Sequence, residues 1–290
     1  MSLLRFGVDS DGNPDVAQGM TQAGAVPLPP LHRFYFAFVG LFALWVGLWG
    51  TFAPDQVDIA LPWKVPPLHA GVIGAFYLSG LVLMVACMLR RRLDQTALGL
   101  RIAVVWTGML LLASLLHIGT FEPANPRVWF WFFAYVLFPI WGAWLVWQSR
   151  SSGETSAGVP AAPWMIAYFL VQGVVCCALA ALLFFMPSTM IGVWPWKISI
   201  LLAQIYAGPF LSYGIASLLL TRRRHANEIE TTAAAMATFV VLVLAASLIH
   251  RGLFPPGSVA VLIWFVALAL AGGTLALVLV SRRRDPGGHA

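Results

Sequence analysis

His117 and His250 stand 133 residues apart in matching phrases, Ser-Leu-Leu-His and Ser-Leu-Ile-His, and each closes an apolar run. At equal depth on one side of a membrane their imidazoles could ligate a haem or share a metal, with His69 as a third donor. A structural role competes with that chemistry. An imidazole at a helix end hydrogen-bonds a terminal carbonyl, and the helix dipole there favours its charged form. Both histidines end their runs near the bilayer edge, which favours the structural role. Glu122, five residues after His117, would give an acid/base pair at a membrane face, but Pro255 stands at the matching place after His250. No P-loop, His-Glu-x-x-His or nucleophile-elbow motif accompanies them.

A second constellation is Pro-Trp-Lys, which occurs at Pro62-Trp63-Lys64 and again at Pro195-Trp196-Lys197. Lys64 and Lys197 are the only lysines in the chain. Trp and Lys beside an apolar run act as interface anchors, the ring at headgroup level and the ammonium reaching water. The alternative is a pair of cationic hooks that hold an anionic headgroup or solute. Deeper in the apolar runs, Ser79 and Ser212 occupy matching places, in Phe-Tyr-Leu-Ser-Gly and Pro-Phe-Leu-Ser-Tyr. Small and hydroxyl residues serve close helix packing; the same pair could line a solute site. Cys87, Cys176 and Cys177 read as packing residues, since neighbouring cysteines on a helix diverge too far for an unstrained bridge. The residues select no cofactor.

These matches belong to a longer one. Residues 34–150 lie on 167–283 without a gap, bringing Phe52 and Pro54 onto Phe185 and Pro187, and Arg90-Arg91 onto Arg223-Arg224. The expected organisation is a polar N-terminal arm (1–33), a first four-helix repeat (34–150), a Ser/Gly/Ala/Pro linker (151–166), a second repeat (167–283) and a short tail (284–290).

Composition dictates what positions the candidate residues. The chain is 60% hydrophobic and 10% charged, with a mean hydropathy of +0.84, whereas soluble domains carry roughly 25% charged residues. Apolar runs long enough to cross a bilayer fall near 34–51, 68–89, 98–118, 128–148, 163–186, 198–221, 232–250 and 258–281. Backbone groups in hydrocarbon must be satisfied within the segment, so an all-α integral membrane protein of eight spans is expected. Four spans per repeat make the two copies parallel, related by a pseudo-two-fold along the membrane normal. Thirteen of the seventeen basic residues fall in the arm, the even-numbered connections and the tail, which assigns both termini to the cytoplasm. The net charge of +6 reflects these juxtamembrane arginines and calls for membrane lipids as partners, not nucleic acid.

The first copy carries a recognisable pattern: Pro-Trp-Lys with Pro66-Pro67, then Gly74-Ala75-Phe76-Tyr77-Leu78, Leu116-His117 with Phe121, and Tyr135 with Pro139. It resembles a family of bacterial multi-pass membrane proteins with the same Trp/Lys/Pro-Pro loop, GAxYLxG helix and WxxxYxxxP helix. The second copy departs from the pattern, with Ser199-Ile200 for the proline pair and Leu268 and Gly272 for Tyr135 and Pro139. The resemblance implies the bacterial inner membrane and no activity. The residues themselves point to a non-enzymatic protein that binds or moves a lipid-like molecule at the seam between the repeats, with Lys64, Lys197, Trp63, Trp196, Ser79 and Ser212 as contacts. The competing expectation is an accessory subunit of a membrane redox or other complex, holding a cofactor or a partner subunit at His117 and His250.

Overall fold

A computed structural model describes residues 26–149, 161–222 and 226–284. Residues 151–160 of the expected linker, the outer part of the N-terminal arm and most of the tail lie outside these residues. The described chain is helical: α1 Pro30–Phe52, α2 Pro67–Met88, α3 Ala97–Leu116, α4 Pro126–Ser149, α5 Pro163–Phe185, a short α6 Pro187–Val193, α7 Ile200–Leu220, α8 Ala226–Ile249 and α9 Val259–Arg284. Eight of these are long and apolar enough to cross a membrane. This is a multi-pass membrane protein.

Proline sets the helix starts. Helices α1, α2, α4, α5 and α6 all begin on a proline, where the missing N–H has no intrahelical partner to lose and the ring presets the helical φ. Where the second half lacks the proline pair, Ser199 caps α7 instead, its side chain accepting from Leu202 N at 3.2 Å. Helix α1 starts four residues earlier than the apolar run suggests, because His32 is buried and reaches Ser149 Oγ at 3.2 Å. The residues before it dock on the loop between α2 and α3: Leu28 N donates to Arg91 O at 2.8 Å and Leu93 N to Val26 O at 3.0 Å.

The long helices pack in pairs. Helix α1 lies along α2 and α5 along α7; α2 lies along α8 and α7 along α3; α3 lies along α4 and α8 along α9. The middle of the molecule is therefore built from α2, α3, α7 and α8. Helices α1, α4, α5 and α9 lie outside them, with many exposed apolar side chains for the bilayer. Glycine permits the tightest approach. A Cβ on Gly50 would lie 2.6 Å from the Ala70 carbonyl oxygen, and one on Gly74 2.6 Å from Thr51 N.

Candidate functional site

The two Pro-Trp-Lys loops turn their tryptophans inward and their lysines outward. Trp63 meets Trp131 edge-on at 4.9 Å and Phe121 at 5.6 Å. Trp196 meets Trp264 at 5.0 Å and Phe254 at 5.5 Å. Trp196 is buried, and Lys64 and Lys197 are exposed. Within the described residues neither lysine has an ion-pair partner, whereas Arg92 pairs with Asp94 at 2.8 Å.

Polar contacts from His69, His117 and Ser79 cross the seam between the halves. His69 Nδ1 accepts from Tyr206 Oη at 3.0 Å and from Trp196 Nε1 at 3.4 Å. His117 Nε2 donates to Gln204 Oε1 at 2.6 Å, and Gln204 Nε2 donates to the Phe184 carbonyl at 3.0 Å. Ser79 donates to the Phe76 carbonyl at 2.8 Å and accepts from Tyr213 Oη at 2.8 Å. Ser212, equally buried, turns back on its own helix and donates to Gly208 O at 2.8 Å. Between these contacts the seam is filled by aromatic rings. Phe76 stacks on Phe239 at 4.5 Å, and Trp106 meets Tyr213 edge-on at 5.7 Å. Ser79 and Ser212 thus lie within packed protein.

His117 and His250 end their helices with the same backbone geometry, φ −111° and ψ 25° against φ −100° and ψ 25°, and differ in what surrounds the side chain. His117 is held by the other half through Gln204, whereas the residue matching Gln204 in the first half is Gly71, and its place is taken up by Ala246 (a Gly71 Cβ would sit 3.1 Å from Ala246 Cβ). Among the described residues no three His, Cys, Asp or Glu side chains gather as a metal-ligand set.

Open space lies elsewhere, inside the first four long helices. A cavity of about 50 Å³ is lined by residues of α1, α2, α3 and α4, among them Phe42, Tyr77, Trp106, Thr107, Tyr135 and Phe138. Beside it an apolar groove of about 560 Å³ runs between α1 and α4, with Leu41, Trp45, Phe130 and Phe133 on its walls. Phe42 and Phe138 line both spaces. Their rings meet edge-on at 5.5 Å and form the partition. Behind them Tyr77 and Tyr135 hydrogen-bond through their hydroxyls, both buried. Phe42 lies 5.8 Å from the Tyr135 ring and 6.2 Å from that of Tyr77.

Sequence reasoning passes over these four residues because Phe and Tyr in an apolar helix read as packing. One signal was available: Tyr77 and Tyr135 belong to the first half's pattern, and Phe210 and Leu268 replace them in the second. The chain matches no known family model, and neither a characterised relative nor a similar solved structure is found.

Proposed function

We propose that this protein is a non-enzymatic membrane protein that binds a lipid-like molecule, admitted sideways from the bilayer between α1 and α4. The observation that carries the reading is that the α1/α4 groove and the interior cavity lie on either side of the same two rings, Phe42 and Phe138. The groove's volume falls within the roughly 300–1,000 Å³ of ligand sites, and all its walls are apolar side chains. A hydrocarbon chain is the occupant that such walls accept without leaving a polar group unpaired. The site belongs to the first half of the chain. The seam, where the sequence suggested it, is occupied by Phe76, Phe239, Trp106 and Tyr213.

The wider architecture in this proposal is a tandem pair of four-helix repeats in parallel, with both termini in the cytoplasm of a bacterial cell and the protein in its inner membrane. In its support, the helix pairings come in matched sets: α1 on α2 with α5 on α7, α2 on α8 with α7 on α3, and α3 on α4 with α8 on α9. One half supplies the ligand site and the other completes the scaffold.

Photo-crosslinking tests the reading. Purified protein in nanodiscs is irradiated with a phospholipid carrying an alkyl diazirine in its acyl chain, and the labelled peptides are mapped. Residues 38–48 and 130–138 should label more strongly than equally apolar, exposed positions on α5 and α9 such as Val171, Val174, Leu262 and Ile263. Uniform labelling of all lipid-facing helices would reject it.

A further inference from the structure

The groove between α1 and α4 has two unlike ends. The helices run antiparallel, since Phe34 meets Trp141 at 5.7 Å, Phe38 meets Phe138 at 5.6 Å and Phe42 meets Phe130 at 5.6 Å. Ring against ring, Phe34, Phe38, Phe138 and Trp141 close the end nearest the start of α1. The other end lies beyond Leu48 and Phe130, the last lining residues on that side. There α1 finishes at Phe52 and α4 begins at Pro126. No charged side chain lines the groove itself.

A cation stands at that second end. Arg127 comes three, seven and eleven residues before Phe130, Ala134 and Phe138, which line the groove, so all four share one face of α4. At 1.5 Å per residue, its Cα lies about 16 Å along the helix from Phe138 at the closed end. Helical side chains lean toward the helix N-terminus, which carries the guanidinium past the apolar walls. Trp129 marks the level: its ring is 66% exposed and its indole N–H donates to the Pro123 carbonyl at 2.9 Å, as for a tryptophan among headgroups. The turn beneath is tied, with Arg127 N donating to Asn125 Oδ1 and Val128 N to Asn125 O, each at 3.0 Å. Arg127 is exposed and forms no salt bridge with an acid of the described residues.

The second half lacks the cation and the ringed walls together. Phe38, Trp45, Phe130 and Phe138 are matched by Val171, Ala178, Ile263 and Ala271, and Arg127 by Ala260, whereas Lys64 of the neighbouring loop is kept as Lys197. General anchoring in the bilayer would call for the cation in both halves. Resting on the lateral-entry reading above, we infer that the guest is an amphiphile with an anionic head, a phosphate or a carboxylate, held by Arg127 while its hydrocarbon lies in the groove. The planar fork of a guanidinium fits either oxyanion with two parallel hydrogen bonds. Uncharged apolar walls keep the head outside, and the arginine disfavours an amine head at the same place.

Three probes of equal chain length test it: an alkyl phosphate, a fatty acid and a fatty alcohol, each with an alkyl diazirine near the chain end. In nanodiscs, at a pH that keeps the carboxylate ionised, labelling of residues 38–48 and 130–138 is divided by labelling of α9 in the same sample. That ratio cancels differences in partitioning. In wild type both anions should exceed the alcohol roughly fivefold, the worth of one interfacial cation beside an anionic lipid. Arg127→Gln should bring the anions down to the alcohol, whose own unchanged ratio reports an intact groove. Arg127→Lys should keep most of the preference, and Lys64→Gln should leave it whole. The stronger of the two anions then assigns the head to a phospholipid or to a free fatty acid. Equal ratios for anions and alcohol in wild type, or a preference that survives Arg127→Gln, overturn the inference and leave the lateral site standing. If no probe labels α1 and α4 above α9, the lateral site itself falls.

Discussion

Trp131 donates its indole N–H to Ser114 Oγ at 2.9 Å, tying the fourth long helix to the third. In the second half Trp264 donates to Ser247 Oγ at 3.1 Å, with the same separation of seventeen residues. The partner rings match as well: Trp63 meets Trp131, and Trp196 meets Trp264. Two copies of one sequence unit that fold alike would produce this recurrence, because a shared register carries the indole and the hydroxyl to the same turn of each helix pair.

If the two bonds are equivalent, removing either should cost a similar amount. Interhelical hydrogen bonds in membrane proteins average about 0.6 kcal/mol and reach about 1.7. Double-mutant cycles of Trp131→Phe with Ser114→Ala and of Trp264→Phe with Ser247→Ala should give coupling energies within about 0.5 kcal/mol of one another in detergent melts. Coupling in one half and none in the other would count against a common design.

The spans themselves were legible because a bilayer leaves little choice: apolar runs bounded by Pro, Gly and Arg must be helices, and their observed limits lie within a few residues of the expected ones, except at the starts of α1 and α8. The apolar run marks α8 only from 232, whereas the helix begins at Ala226 and includes Glu228 and Glu230. Glu228 is in fact buried, with its carboxylate accepting from Leu98 N at 3.2 Å across the molecule. What could not be read is which helix faces which. Helices α2 and α7 are apolar all round and keep no polar face to mark an outside, so nothing in their sequences announces that α2 packs on α8 and α7 on α3. The tyrosine pair was hidden for the same reason, since a phenol that only packs and a phenol that meets another phenol are the same letter.

Glycines separate contact from decoration. Gly50→Ala would drive a methyl into the Ala70 carbonyl and the Gly74 backbone at 2.6–2.9 Å, where no flexible side chain can yield. Overpacking of this kind costs roughly 1–3 kcal/mol. Gly119 and Gly252, with nothing within 4 Å of an added Cβ, should tolerate Ala within about 0.5 kcal/mol. Melting temperatures of the three variants check the contrast.

Sidedness can be read by thiol labelling in a variant with Cys87, Cys176 and Cys177 replaced. The parallel arrangement expects Gly119→Cys and Gly252→Cys, both in exposed turns, to react with an impermeant maleimide added outside intact cells. Arg91→Cys should react only after the cells are opened. Opposite behaviour of the two glycine sites would exclude parallel repeats.

Lys64 and Lys197 are exposed and carry no ion pair within the described residues, so lipid headgroups are the available counter-charges. An interfacial cation contributes roughly 1 kcal/mol near anionic lipid. Lys→Ala at both positions should lower the melting temperature in phosphatidylglycerol nanodiscs and leave it nearly unchanged in phosphatidylcholine, while Lys→Arg should match wild type in both. A double Lys→Ala variant insensitive to headgroup charge would remove the electrostatic role.

Phe42 gives the sharpest test of the lateral site, because its substitution should damage the empty protein and repair the loaded one. Its ring contacts Phe130, Phe138, Tyr77 and Tyr135, so Phe42→Ala joins the 50 Å³ cavity to the groove. Truncating a buried Phe costs about 3–5 kcal/mol, and less is expected here because one side of the ring already faces the groove. A ligand that fills the merged space binds only the folded state and returns about 2.7 kcal/mol at a hundredfold excess over its Kd. A long-chain fatty acid should therefore raise the melting temperature of Phe42→Ala more than that of wild type. An alanine substitution of similar cost away from the groove, Phe169→Ala in the second half, should gain nothing from the fatty acid. Equal rescue of both variants would mean that the fatty acid stabilises the protein as a general solvent, and no site between α1 and α4 would be needed to account for it.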